Sequence, residues 1–418
     1  MPKKKRRTIR GSDICRYLSC TAAVSALSVI GAYALEASDV LVYSHGPLSL
    51  RPQIAIAEEF NDNVYYANTQ RRSDLITGIS PGLKVQIGEN LSDQNHFSLL
   101  YMMDKSIYVD NPILDALQHR IRADAHYTTS RIGLDGLDLY ESLSSVLGGG
   151  FNIGKQKVGR NVWLDRYRFD YKFGERIGMY LQLEHNETDF RTDLPLFDTR
   201  TISGTAGFQY AFSESTFFFG ETYYGQTSLN PNSPGGTKPP GTTFTGGFLG
   251  ARGDFTEKIN GSIKVGYEVS TFSIGRGSGV DTAAGSSPVV EASVSYAPTD
   301  RFSTSLSFSR RQQVSIQFVR SSYAVDTLSA SVSEVIGSTR RLRLDLSGTY
   351  ALYSFDPASP YPAGRTDSNF KIETGANYFF QTWLYTRMEY SFERFSSDFA
   401  SIVDYNVNRI TLSVAVGY

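Results

Sequence analysis

The sequence has few cysteines, histidines, methionines and tryptophans, and these shortages argue against several kinds of site and fold. Its 418 residues include two Cys, five His, five Met and two Trp. The five histidines show no metal-ligand spacing; they stand at 45, 96, 119, 126 and 185. Long apolar runs are also missing, since none after Ala34 approaches the ~18 residues of a membrane-spanning helix. Metal centres and helical membrane folds are therefore not indicated.

The first 34 residues have the three-part order of a secretory signal peptide. The basic run MPKKKRRTIRGSDICR precedes the apolar stretch YLSCTAAVSALSVIGAYA, which ends in Ala32-Tyr33-Ala34. Lys3 to Arg7 also fit a nuclear-localisation or nucleic-acid patch, but the apolar stretch directly behind them favours export. Cleavage after Ala34 removes both cysteines, so the exported chain must be stable without disulfides.

Removal of residues 1–34 also removes the excess of basic residues. Seven of the 41 Lys and Arg and one of the 42 Asp and Glu lie in that segment, which leaves 34 and 41 and a formal charge near −7. A chain of this charge has no basic surplus for a polyanion. Nucleic acid is therefore not expected as a partner.

The abundant feature is alternation of apolar and polar residues with a period of two, from about Arg51 to the C-terminus. In NRITLSVAVGY (408–418), for example, Ile410, Leu412 and Val414 alternate with small or polar residues. The alternating segments run 11 to 16 residues, longer than the ~5–6 usual in soluble strands. Short connections alternate strictly with long polar ones, which is the pattern of an outer-membrane barrel with periplasmic turns and extracellular loops. Lipid requires such a sheet to close, because an open edge leaves backbone groups unpaired.

These patterns predict an all-β fold, a transmembrane antiparallel up-and-down β-barrel of about 18 strands, with 16 as the next count. An even number places both termini on the periplasmic side. The expected organisation is a signal peptide at 1–34, a short periplasmic segment at 35–50 and the barrel at 51–418. Two segments fit the alternation poorly, RIGLDGLDLYESL (131–143) and the strand around Phe217–Phe219. NPILDALQHR (111–120) fits a helical turn at the top of a loop.

Aromatic residues cluster near the short connections, as in a girdle at the periplasmic membrane surface. We assign to this girdle Tyr171, Phe173, Tyr210, Phe212, Phe217, Phe219, Phe255, Tyr296, Phe302, Tyr378, Phe379, Phe380, Trp383 and Tyr418. The terminal Tyr418 also resembles the signal by which the outer-membrane barrel-assembly machinery recognises its clients.

The segment LRPQIAIAEEFNDNVYY…RRSDLITGISPGLKVQI resembles the opening of the putative beta-barrel porin 2 family of Gram-negative outer-membrane proteins. The matching positions are Glu59, Asn61, Asp62, Asn63, Ser73, Asp74, Ser80, Pro81 and Gly82. The resemblance implies an outer-membrane barrel without defined catalytic residues, and several members are associated with surface-polysaccharide export. Val416 departs from the usual closing strand, where an aromatic is common.

Few residues suggest a chemical site. Asp124 and His126 share the polar face of one segment, which fits either a dyad or a structural pair. Glu58, Glu59 and Asp62 fit either a Ca²⁺ site at the outer rim or a solvated turn. We predict no catalytic, cofactor or metal residues and do not expect an enzyme.

The polar face of the alternating segments is the main functional candidate. It carries many ionisable groups of both signs, which cannot be dried without large cost, and a barrel of 16–18 strands leaves an aqueous channel unless it is plugged. We therefore predict a porin-like channel for polar solutes, or an accessory of surface-polysaccharide export. The alternative is a non-conducting structural barrel whose long loops contact surface polymers. The predicted lumen-lining residues are Arg166, Arg168, Asp170, Lys172, Glu184, Lys264, Glu268, Arg343, Asp345, Lys371, Glu373, Arg387, Glu389 and Arg409.

Expected partners are outer-membrane lipid and lipopolysaccharide, the barrel-assembly machinery and, for the export hypothesis, other export components. No patch in the sequence identifies a subunit interface. A trimer and a monomer are therefore both compatible with the sequence.

Overall fold

Eighteen long strands and one short strand make up most of the described part of the chain. The computed structural model describes residues 42–88, 95–149, 156–191, 196–231, 241–272, 284–314, 322–355, 364–399 and 404–417. The strands are β1 Tyr43–His45, β2 Leu48–Asn61, β3 Asp74–Ile87, β4 His96–Tyr108, β5 Ala116–Thr128, β6 Ile132–Val146, β7 Lys157–Lys172, β8 Ile177–Phe190, β9 Phe197–Ala211, β10 Thr216–Pro231, β11 Thr242–Asp254, β12 Ile259–Phe272, β13 Ala284–Tyr296, β14 Phe302–Val314, β15 Ser322–Ile336, β16 Leu342–Phe355, β17 Arg365–Gln381, β18 Leu384–Ser397 and β19 Tyr405–Val416.

The long strands close into one antiparallel barrel. Each of β2 to β18 pairs with the next strand in sequence, and β19 pairs with β2 from Arg409 opposite Asn61 to Val416 opposite Ile54. Below the end of β19, the free edge of β2 pairs with the short strand β1. The predicted closed antiparallel barrel of 18 strands is thus confirmed. No helix in the described ranges is both long and apolar enough to cross a membrane.

The connections alternate between short turns at one end of the barrel and longer loops at the other. Four of the turns are built in the same way, because a hydroxyl accepts a hydrogen bond from the backbone N–H three residues further on, at 2.9–3.1 Å; the hydroxyls belong to Thr129, Ser213, Thr256 and Thr299. Such side chains favour tight turns because they satisfy a backbone donor locally. In the 109–115 loop, Pro112–Leu114 form a short 3-10 helix, and β5 starts at Ala116.

The outer wall is apolar over most of its circumference. Ile410, Leu412 and Val414 of the closing strand are each at least 46% exposed, as lipid-facing residues must be. Three members of the predicted aromatic girdle face the other way: Phe217 and Phe219 line the interior, and Phe379 points inward between the exposed Tyr378 and Phe380. Phe218, which lies between Phe217 and Phe219 and is 48% exposed, takes the outer position instead. Tyr418 lies outside the described residues.

The middle of strand β6 reverses the usual assignment of apolar and polar faces, whereas Ile132 and Leu134 nearer the turn are exposed on the outer wall as expected. Leu137 and Leu139 line the interior, whereas Asp138 accepts a hydrogen bond from Tyr167, which is 51% exposed on the outer wall. The register with β5 and β7 fixes which residues point outward, and a one-residue slip would move every side chain of β6 to the other face. This reversal is the physical reason why 131–143 fitted the alternation poorly.

Candidate functional site

The described part of the barrel encloses a large cavity, of about 3250 Å³. Eleven of the fourteen predicted lumen-lining residues line it: Arg166, Arg168, Asp170, Lys172, Glu184, Lys264, Glu268, Lys371, Glu373, Glu389 and Arg409. The other three, Arg343, Asp345 and Arg387, lie on the same inner face near the short turns but do not line this cavity. Their exposed neighbours Leu344 and Met388 point outward.

Most charges of the inner wall are paired with a neighbour of opposite sign. Several pairs join residues two apart on one strand, as in Arg168–Asp170 at 2.8 Å and Lys371–Glu373 at 2.7 Å. Others cross between strands, as in Arg166–Glu184 at 2.9 Å. Opposite charges held close together cancel most of each other's electric field at a distance. The wall is therefore strongly polar without a large field of one sign.

One sector of the inner wall combines aromatic rings with ion pairs. The Tyr180 ring lies over Gly207, where any Cβ would overlap it, and the guanidinium of Arg168 sits 3.8 Å from the ring centre. The Tyr180 hydroxyl donates to Glu221, and Lys264 Nζ lies 3.5 Å from the same carboxylate. These contacts hold the ring flat against the wall, because glycine lets it approach the backbone.

A second sector, across β14 to β16, is lined by small hydroxyl side chains. Alternate residues of β14 and β15 are serines on the inner face, and they bond across the strands, as in Ser305–Ser331 at 2.7 Å. Ser329 and Thr349 make the same kind of bond at 3.2 Å. The lumen thus has a hydroxyl wall in one sector and an aromatic, ion-paired wall in another.

The loop after β6 reaches across the lumen at the end opposite the short turns. The backbone N–H of Gly149 donates to the Tyr405 hydroxyl at 2.7 Å, although the two strands concerned, β6 and β19, are five steps apart around the wall. An 18-stranded barrel with ~4.8 Å strand spacing and ~40° tilt is roughly 36 Å wide at the backbone, so five steps span about 27 Å. The loop therefore narrows the lumen.

The loop between β2 and β3 packs against the same tyrosine, Tyr405. Tyr66 packs edge-on against Tyr405 with ring centres 5.0 Å apart and accepts a hydrogen bond from Arg409 at 2.8 Å. Burial raises the pKa of the Tyr66 phenol, so it stays neutral beside the guanidinium. Tyr405 also donates to Glu393 at 2.9 Å. We call Tyr66, Gly149, Glu393, Tyr405 and Arg409 the loop latch.

Buried residues fix the shape of the β2–β3 loop. Asn63 is fully buried; its side chain donates to the carbonyls of Ala67 and Asn406 at 2.7 and 3.0 Å and accepts from the Ala67 N–H at 2.8 Å. Val64 packs against Ile76 in a small apolar cluster. The acidic-plus-Asn-Asp-Asn segment that carried the family resemblance is thus the segment that folds this loop inward.

The structure gives the residues of the two candidate chemical sites other surroundings than a shared site would need. His126 Nδ1 lies 2.6 Å from Asp135, and Asp124 accepts two hydrogen bonds of 2.8 Å from Arg122, so each member of the suggested dyad is engaged by another residue. Glu58 and Glu59 point to opposite faces of the wall, which separates the suggested Ca²⁺ ligands. Within the described ranges no group of three or more His, Cys, Asp or Glu is placed to hold a metal.

Sequence reasoning missed a charged patch on the outer wall. Asp165 and His185 are paired at 2.8 Å, and His185 also lies 3.1 Å from Glu187. Arg200 extends the patch, with its Nε 3.7 Å from Glu187. The signal available in the sequence was that the apolar run of β8 stops at Leu183 and is followed by alternate charged residues.

Comparison with known families agrees with this architecture. The family model described as putative beta-barrel porin 2 matches residues 198–418, slightly more than half of the chain. The chain belongs to this family. It is therefore a porin-like β-barrel of the bacterial outer membrane, and this fold points to a channel and not to an enzyme.

Solved structures give only a loose likeness. The chain is 10% identical to OccK2 (OpdF) of Pseudomonas aeruginosa, with 88% of this chain and 98% of that chain covered and a TM-score of 0.47. The outer membrane protein opdK of the same species is 10% identical, with 88% of this chain and 99% of that chain covered and a TM-score of 0.47. OccAB3 of Acinetobacter baumannii is 13% identical, with 88% of this chain and 99% of that chain covered and a TM-score of 0.45. No curated protein matches the chain. These likenesses say nothing about the solute.

Proposed function

We propose that this porin-like barrel is a water-filled channel for small polar solutes, narrowed at its extracellular end by the loop latch. The observation that carries the proposal is the continuous cavity lined by paired charges and hydroxyls. Drying so many ionised groups would cost several kcal/mol for each ion, so the interior is expected to hold water. Because charges of both signs alternate along the wall, weak ion selectivity is expected.

The inward loops also support the competing hypothesis of a barrel that does not conduct. Tyr66, Gly148 and Gly149 line the cavity and contact the wall near Tyr405. If this contact is permanent, the long loops would act as a surface for polymers and the lumen as a filled core. An accessory role in surface-polysaccharide export is the third hypothesis, and it would need the latch to release before a chain of sugars could pass.

Single-channel recording of the refolded protein in a planar bilayer separates these hypotheses. The proposal expects reproducible current steps with similar permeability for K⁺ and Cl⁻. Folded protein is identified by its heat-modifiable shift on SDS gels. If folded protein never gives current steps in the wild type or with the latch weakened, the barrel does not conduct and the proposal is wrong.

Export is tested separately from diffusion. A polymer-export accessory should pass oligosaccharides into proteoliposomes once the latch is weakened, whereas a small-solute channel should pass monosaccharides and exclude longer chains. Liposome swelling with sugars of increasing length measures this difference.

A further inference from the structure

Three aromatic rings lie side by side on the inner wall at β10 and β11. Tyr223, Phe244 and Phe248 all line the cavity and are half-buried. The Tyr223 and Phe248 rings stack with their centres 5.0 Å apart and their planes 15° apart, and the Phe244 ring centre lies 6.2 Å from that of Tyr223. The three rings form one continuous surface, which we call the aromatic patch.

Glycines on the adjacent strands let these rings approach the wall closely. Each ring lies over one glycine, where any Cβ would overlap it; the pairs are Phe244 over Gly225, Tyr223 over Gly246 and Phe248 over Gly266. Glycine has no side chain to hold a ring away from the backbone. One side of the patch is thus turned to the backbone of the wall, and the other side borders the lumen.

The position of the aromatic patch is unusual for large apolar side chains. The wall is a single sheet closed on itself, so the patch faces the cavity and not a second layer, and packing against another layer does not account for it. The wall elsewhere presents ion pairs and hydroxyls, such as Arg166–Glu184 and Ser305–Ser331. A contiguous apolar patch with a polar rim is typical of a binding surface.

Hydrogen-bonding groups of both kinds border the aromatic patch. The Glu268 carboxylate accepts from the Tyr223 hydroxyl at 2.7 Å, and a carboxylate can accept several hydrogen bonds at once. Lys264 Nζ lies 4.5 Å from the centre of the Phe248 ring and pairs with two carboxylates, at 3.5 Å with Glu221 and at 3.2 Å with Glu291. The rim therefore carries donors and acceptors, with positive and negative charges next to each other.

These features restrict the solutes that fit the aromatic patch. The face of an aromatic ring carries negative partial charge, so it attracts C–H groups with positive partial charge. A sugar in its ring form presents such C–H groups on one face, and its hydroxyls both donate and accept at the edges. An aromatic acid or amine also has a flat face, but its charge would lie beside a like charge of the rim.

We propose that the aromatic patch is a stacking site for the ring of a neutral sugar. This inference deepens the proposed channel function and rests on it, because it names a class of solute for the same lumen. Glu268 and Lys264 would bind the sugar hydroxyls, and the three rings would contact its apolar face.

The test measures block of the open-channel current in KCl by D-glucose and, separately, by sorbitol. Sorbitol has the same number of carbons and is equally rich in hydroxyls, but its chain is open, so it lacks a fixed ring face. Wild type should be blocked at a lower concentration of glucose than of sorbitol.

Phe244→Leu keeps an apolar side chain and removes the flat ring. It should raise the half-blocking glucose concentration roughly 2- to 12-fold, as expected for the loss of one aromatic stacking contact, and should leave the sorbitol block unchanged. Phe248→Leu should act in the same direction, which keeps the test available if the first variant does not fold.

Phe217→Leu is the matched control, because Phe217 is also half-buried and lines the same cavity. It lies about 20 Å from Tyr223 along β10, and its loss should leave the glucose block unchanged. Equal block of a conducting wild type by glucose and sorbitol, or equal effects of the Phe244 and Phe217 variants, would overturn the site while leaving the channel intact.

A wild type that never conducts would instead refute the channel, and the site is then tested by binding. Glucose should raise the unfolding temperature of the folded wild type in detergent more than sorbitol does at the same concentration. This difference should shrink in Phe244→Leu and persist in Phe217→Leu. Equal shifts with the two compounds, or the same difference in both variants, would overturn the site independently of conductance.

Discussion

The loop latch offers a direct test of whether the inward loops control the channel. Tyr405→Phe removes one hydroxyl that serves two partners, since it accepts from Gly149 N–H at 2.7 Å and donates to Glu393 at 2.9 Å. Loss of these bonds should weaken the closed position of the loop by about 1–3 kcal/mol. At 1.4 kcal/mol for each factor of ten, the closed-to-open ratio should fall by roughly 5- to 150-fold.

The expected readout is a larger or more frequently open single-channel current. Tyr390→Phe is a matched control on the neighbouring strand, because its hydroxyl donates to Asn408 at 2.8 Å on the outer face, away from the lumen. That variant should lose a hydrogen bond of the same kind without a change in current. If Tyr405→Phe folds normally and its currents equal those of the wild type, the latch does not control conduction and the reasoning is wrong.

Three further predictions concern stability, measured as the temperature at which the folded gel band disappears. Glu58→Leu should stabilise the barrel by ~1–2 kcal/mol, because this carboxylate sits on the outer wall within the apolar band. Gly207→Ala should destabilise it by about 1–3 kcal/mol through overlap with the tyrosine ring above it, whereas Gly174→Ala meets open space and should not. Arg365→Leu should cost ~3–5 kcal/mol, since its partner carboxylate is 2% exposed, but Lys371→Leu, at a half-exposed pair, should cost under about 1 kcal/mol.

Each of these predictions has a contrary outcome. A Glu58→Leu protein that is less stable would mean that this outer position is covered by polar groups and not by lipid. Equal losses for the two glycine variants would show that the ring does not need the glycine. Similar costs at the buried and the half-exposed ion pair would contradict the role given to burial.

The fold could be predicted from the sequence because a barrel wall repeats one local rule many times. Alternation with a period of two, strand length and the short–long order of connections each follow from closure in lipid, so errors in single segments did not change the count of 18. The residues of the inner face could be assigned in the same way, because residues two apart on a strand, such as Arg166 and Arg168, point to the same side of the wall. The predicted signal peptide and Tyr418 lie outside the described residues and stay predictions.

The loop latch could not be predicted, because its contacts join residues far apart in the sequence. Gly149 lies in a Gly-Gly-Gly run, which predicts a loop but not what the loop contacts. Its partner Tyr405 is 256 residues away in the sequence. The sequence also did not show which residues of β6 face the lumen. Its polar and apolar residues suit either face, and only the pairing with β5 and β7 decides between them.

The outer wall indicates where the membrane ends relative to the latch. On β8, the outward residues from Ile177 to Leu183 are apolar; Ile177, Leu181 and Leu183 are exposed, and the charged patch starts at His185. Seven strand residues at ~3.3 Å and ~40° tilt rise about 18 Å, which with the side chains approaches the ~25 Å apolar band of such barrels. The remaining part of β8 then stands in the polar headgroup layer, whereas on β3 and β4 the exposed Leu75 and Ile107 lie close to the loop end. The latch, formed where β6 and β19 meet the loops, lies at this end of the barrel, so a solute that enters from the loop side meets the constriction before it reaches the rest of the lumen.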